Sequence, residues 1–236
     1  MFDYRWERLG SANGLWSQNA LYLGRSEMNK PATGIQARHR EETRERILAA
    51  AERVFAEYGY EGASFGRIAQ EVNLPKSNVV YYFETKKKLY RLVVEDIFNV
   101  WRHAADNIQP NSDPVQALGE YVDTKLELAR VRPHGSKVWA NEIIQRAPIV
   151  QDYLENELRD WTNDRISVID GWIDRGMIRP INARNLLYAI WATTQHYADF
   201  THQIQTLNDD KELSETQWSE TKRAVKDILI NGISKG

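Results

Sequence analysis

The chain has 236 residues, 42% of them apolar and 27% charged, and 31 Lys+Arg against 33 Asp+Glu leave a net charge of −2. That balance excludes a wholly disordered or collagen-like chain, and the near-neutral total excludes a protein that coats nucleic acid indiscriminately. With no cysteine, no apolar run near the ~18 residues of a membrane helix and no basic-then-apolar start of a secretory signal, the expectation is a soluble, cytoplasmic protein with no membrane partner, disulfide or thiolate metal site.

Residues 1–35 hold scattered Gly, Asn and Pro without a sustained period and are expected to form a flexible N-terminal tail. Met28 stands within it as an alternative translation start. From about residue 40 the pattern is helical. Ile47, Leu48, Ala51, Val54, Phe55 and Tyr58 form one apolar stripe on a period near 3.6. Gly59 follows as the expected stop. Ser64 is a good N-cap for a short second helix that buries Ile68, Ala69 and Val72. Asn73 sits where a left-handed residue is needed. Leu74-Pro75 opens a third short helix at about 76–82, and Thr85 caps a long fourth. Later helices are expected at about 114–131, 134–146, 149–174, 183–206 and 214–233. No strand-like alternation and no solenoid repeat is found. The fold class is all-α. It divides into a helix-turn-helix domain over 36–84 and a larger helical domain over 85–236.

Two short helices behind a packing helix make a helix-turn-helix arrangement. The words along it are more specific than the spacing. Arg46-Ile47-Leu48-Ala49-Ala50-Ala51, Phe55-Ala56-Glu57-Tyr58-Gly59-Tyr60, Ile68-Ala69 and Tyr81-Tyr82-Phe83-Glu84-Thr85-Lys86-Lys87-Lys88-Leu89 follow in order at short intervals. Over residues 43–92 the chain resembles the DNA-binding domain of the TetR family of bacterial transcription regulators. It departs at Pro75, where family members usually carry a Ser or Thr cap. The resemblance implies a palindromic double-stranded DNA operator. Lys76, Ser77 and Asn78 begin the recognition helix, where Lys76 suits guanine O6/N7 and Asn78 an adenine edge. Ser64 and Lys86 resemble the family's phosphate anchors. Of Tyr81 and Tyr82, one hydroxyl is expected to reach a phosphate and one ring to pack inward. The bland alternative makes Lys86-Lys87-Lys88 a solvated run and both tyrosines core. Charge by segment agrees with DNA binding: residues 1–35, 36–91 and 92–236 carry +1, +3 and −6.

The string Ile190-Trp191-Ala192-Thr193-Thr194-Gln195-His196-Tyr197-Ala198-Asp199-Phe200, with Gly171-Trp172-Ile173 and Arg146-Ala147-Pro148 upstream, resembles the C-terminal domain of the pyrimidine-utilisation regulators of that family. This implies uracil or a related pyrimidine as effector and no other cofactor. Trp191, Gln195 and Asp199 share one helical face. Trp191 offers a stacking plane, Gln195 a donor and an acceptor, and Asp199 an acceptor for a ring N–H. Trp139 and Glu142 are further effector-binding candidates. The alternative leaves Trp191 in the core and Asp199 and Gln195 in local bonds. His196 and His202 are six apart, off helical metal spacing, so no metal site is expected. The last two helices, with Trp218, Val225, Ile228, Leu229 and Ile233 on one face, are expected to make a homodimer. The leading expectation is a ligand-gated repressor in which helix 4 carries the effector signal. No nucleophile elbow or phosphate loop points to an enzyme. An all-helical nucleobase-acting enzyme, a regulator sensing an unrelated molecule and a protein-binding adaptor stand as alternatives.

Overall fold

The computed structural model describes residues 34–231 and 233. The expected tail up to residue 33, Met28 included, lies outside the described residues. Among the described residues the regular structure is entirely helical, without strands. Two compact units divide the chain, the first ending at Asn99 and the second starting at Val100.

The first unit begins with α1, Gly34–Gly62, so Gly34 is helical where the sequence suggested tail. The helix breaks at Gly59, whose φ of 67° and ψ of 178° leave the helical region. Glycine takes that backbone without the steric penalty a Cβ would bring. α2, Phe65–Glu71, is capped by Ser64, whose side chain accepts from the Arg67 N–H at 3.3 Å. Its end is a Schellman motif. The Leu74 N–H reaches Ala69 C=O at 2.9 Å and the Asn73 N–H reaches Gln70 C=O at 3.1 Å, with Asn73 left-handed at φ 53°. α3, Lys76–Phe83, starts after Pro75 with no side-chain cap. It buries Val79 and Phe83. Thr85 Oγ1 then accepts from the Lys88 N–H at 3.2 Å and starts α4, Lys86–Ala104. The unit extends past residue 84 because the start of α4 packs on α1: the Tyr90 ring meets Phe55 at 4.8 Å and Tyr60 at 5.0 Å.

The second unit contains α5 (Pro114–Val131), α6 (Pro133–Ile144), α7 (Gln151–Tyr153), a π-helical turn (Leu154–Leu158), α8 (Arg159–Asp174), α9 (Ala183–Asp199), α10 (Thr201–Leu207) and α11 (Glu215–Asn231). Asp113 and Asn182 cap α5 and α9 through the N–H groups of Gln116 and Asn185, at 2.8 and 2.9 Å. α9 packs against α5, α6, α8 and α11. The core joins Leu118, Tyr121, Leu126, Trp172, Leu187 and Ile190, all below 2% exposed. Two helices expected as continuous are interrupted. The 149–174 stretch contains the π turn, and the 183–206 stretch breaks at Phe200 (φ −109°, ψ 31°). The C-terminal apolar residues expected at a dimer surface divide: Val225 on α11 is 4% and Ile233 beyond it 0% exposed, while Ile228 is 73% exposed.

Candidate nucleic-acid interface and effector cavity

α2 and α3 meet through the Asn73 turn, and that turn leaves the first residues of α3 in solvent. Lys76 and Ser77 are exposed and Asn78 is half-buried. Tyr81 is 66% exposed, one turn on from Ser77 on the same face. Tyr82 is half-buried and meets Tyr81 edge-on at 5.4 Å. The two rings therefore differ in burial, and neither belongs to the core. Ser64 is exposed and already caps α2.

Lys86 has a different place from the one expected. Its Nζ donates to the carbonyls of Tyr60 at 2.7 Å, Ala63 at 3.1 Å and Glu61 at 3.4 Å, and lies 4.4 Å from the Tyr60 ring centroid. An ammonium has three donors, and here all three face backbone oxygens left over where α1 ends. In this structure Lys86 clasps α1 to α4. Lys88 pairs with Glu84. Lys87 is exposed.

The second unit holds a narrow cavity with room for roughly one water molecule, about 10 Å³. Trp101, Lys125, Leu128, Ala129, Arg132, Ser136 and Gln195 line it. Lys125 is 3% exposed, and its ammonium lies 3.7 Å from the Trp101 ring centroid, a desolvated cation–π contact. Burial brings its pKa down to about 7, against the attraction of Asp199. Burial likewise raises the pKa of Asp199, while Ser136, Lys125, Lys137 and His196 draw it back. Ser136 Oγ and Asp199 Oδ1 are buried and form no hydrogen bond of good geometry within the chain.

The five residues expected at the effector site thus separate. Gln195 lines the cavity and Asp199 acts on its lysine. Trp139 does not line it; it stands behind the wall, edge-on to Trp101 at 5.5 Å. Trp191 does not line the cavity and is half-buried against the core. Its Nε1–H donates to Tyr121 Oη at 2.8 Å and its ring stacks on Trp161 at 6.3 Å. Glu142 is 3% exposed, and its carboxylate accepts from the Ile149 and Val150 N–H groups at 2.8 and 3.1 Å. It fastens the loop after α6 and does not line the cavity. Sequence reasoning missed Lys125, although a signal existed: with Leu118, Tyr121, Val122 and Ala129 it sits on the apolar stripe of α5, where an unpaired cation has no place in a plain core.

Comparison with known proteins adds three findings. The family model described as "Bacterial regulatory proteins, tetR family" matches residues 47–93, and one described as "YcdC-like protein, C-terminal region" matches residues 94–236. The HTH-type transcriptional regulator RutR of Escherichia coli is 32% identical over 201 residues, which is 85% of this chain and 95% of that protein. Among solved structures, the chain is similar in fold to the TetR family regulator PfmR of Thermus thermophilus (TM-score 0.61, 18% identity, 79% of this chain and 97% of that one). It is also similar to AibR, solved with isovaleryl coenzyme A and operator DNA (TM-score 0.63, 15% identity, 79% and 97%).

Proposed function

Since this chain belongs to the TetR family of bacterial regulatory proteins and is a DNA-binding transcriptional regulator, we propose that it is a ligand-gated repressor whose effector is uracil or a related pyrimidine. Its genes would serve pyrimidine catabolism or linked nitrogen metabolism. The observation that carries the reading is the cavity. Gln195 and Lys125 line it, Asp199 attracts that lysine, and Ser136 Oγ and Asp199 Oδ1 are buried without a hydrogen bond of good geometry. The edge of uracil alternates carbonyl, N–H and carbonyl. Lys125 and the Gln195 amide can donate to carbonyls, and Asp199 can accept from the N–H. Resemblance of the Trp191–Phe200 segment to pyrimidine-utilisation regulators supports the same class.

The cavity admits about one water as it stands, so a pyrimidine enters only as the long side chains of Arg132 and Gln195 swing aside. Trp101 lies near the end of α4, the helix that starts in the DNA-binding unit. Ligand pressure on Trp101 is therefore a direct covalent route to the recognition helix. A coupling of ~1–3 kcal/mol changes operator occupancy 5–150-fold.

A homodimer reading a palindrome fits this account. α9 turns Tyr188, Ala192 and His196 outward, and Phe200 follows at 53% exposed, stacked on His196 at 5.0 Å. A two-fold pair would place half-sites about one DNA turn, ~34–36 Å, or a multiple of it apart. A thermal-shift screen against uracil, thymine, their dihydro forms and the purines tests the effector class through linkage. Selective stabilisation by a pyrimidine supports it. Stabilisation by none of them overturns it and leaves the DNA-binding assignment standing.

A further inference from the structure

α1 starts at Gly34, well ahead of residue 47 where the family's DNA-binding model begins. The early turns of the helix therefore lie ahead of the residues that this model matches. Several basic groups along α1 are engaged within the unit. His39 faces Glu42 at 3.4 Å, Arg46 Nη2 donates to Val72 C=O at 3.0 Å, and Arg53 pairs with Glu71 at 2.8 Å. Arg44 faces Glu41 at 3.4 Å and lies 5.7 Å from the Phe83 ring centroid. Arg40 differs from these. It is exposed, and its guanidinium lies 5.4 Å from the centroid of Tyr81, itself 66% exposed.

That contact fixes where Arg40 stands. Tyr81 shares a helical face with Ser77 and with Asn78, the latter expected at an adenine edge. When that face enters a major groove, the far end of it, Tyr81, reaches the groove's rim, where the sugar-phosphate backbone runs. Arg40 lies on Tyr81 and is therefore carried to the same rim. A cation–π contact holds a guanidinium through charge and ring quadrupole and consumes no acceptor, so its N–H fork stays available. A planar fork placed against a phosphodiester makes a bidentate, charge-assisted pair. We propose that Arg40, positioned by Tyr81, is a phosphodiester clamp that extends the DNA-binding surface onto the N-terminal part of α1. The proposal rests on α3 being the groove helix.

The test uses the full chain and a duplex that the wild-type protein selects from a random pool. Affinity is measured by fluorescence anisotropy across a KCl series, on the selected duplex and on a scrambled one. For Arg40→Ala the slope of log K against log[salt] becomes shallower by ~0.9, the value for one lost phosphate contact. Affinity falls by a similar factor on both duplexes, and thermal melting is unchanged. Arg40→Lys keeps the slope, because the charge remains. Tyr81→Leu loses part of the affinity with Arg40 intact, because the guanidinium is no longer held in place. An Arg40→Ala slope equal to wild type, with Lys76→Ala still impaired on the selected duplex, overturns the clamp and spares the groove helix. Unchanged binding in both variants overturns the groove-helix reading and the clamp with it.

Discussion

Lys86 donates to three backbone carbonyls where α1 ends, whereas Lys125 lies buried over an indole ring beside a cavity. The first arrangement stabilises the fold, since hydrogen bonds to a charged donor contribute ~1.5–3 kcal/mol each at best. Lys86→Ala should therefore lower the urea midpoint of unfolding as well as operator affinity. Lys76→Ala should leave the midpoint alone and weaken specific binding by ~1–3 kcal/mol. The second arrangement opposes the fold. The Lys125 pKa is about 7 in the folded chain against 10.5 when unfolded, so the unfolded chain binds the extra proton between those values. Stability from this site consequently rises with pH across that window. Lys125→Met, made in an Asp199→Asn background so that no lone buried carboxylate is left, should be more stable than Asp199→Asn alone near pH 7. Its advantage should shrink as pH climbs toward 10, and denaturant unfolding at several pH values checks this. Both lysines show what a sequence does and does not reveal at this scale. Lys125 was missed although its position, a cation on an apolar stripe, carried a signal. The partners of Lys86 were not, because they lie more than twenty positions away across a helix packing that no local pattern encodes.

Helix ends were the most legible elements. Ser64, Asn73, Thr85 and Asp113 each act through bonds made within a few residues, and such local chemistry is written into the sequence. The π turn at Leu154–Leu158 and the break at Phe200 were not legible, because the apolar period runs through both and tertiary packing decides there. The same holds for Glu142. Its role depends on the reversal at Arg146 and Ala147, both at positive φ (69° and 51°), which brings the Ile149 and Val150 amides back to its carboxylate. Glu142→Ala should leave two buried donors unpaired, each costing roughly 1–3 kcal/mol. Hydrogen exchange at Ile149 and Val150 should accelerate strongly, whereas Glu142→Gln, which keeps an acceptor oxygen, should protect them in part. Equal protection in wild type and Glu142→Ala would contradict the fastener role.

On the scale of the molecule, a net charge of −2 conceals an uneven distribution: +3 over residues 36–91 and −6 over 92–236. DNA attracts the reading head and repels the sensor, which suits a specific regulator and not a coating protein. The family, the all-helical class and the DNA-binding role were all legible from motif words over a small part of the chain. The proposed effector site was legible only as a face; in the structure Gln195 lines the cavity, Trp191 packs half-buried against the core, and Lys125 takes a place that the face did not include. The most direct measurement of the whole account is the affinity for a selected operator duplex with and without uracil, in wild type and Gln195→Ala. The account predicts that uracil shifts wild-type affinity by 5–150-fold, and that Gln195→Ala binds the duplex as wild type does but no longer responds. Wild-type affinity indifferent to uracil would contradict it.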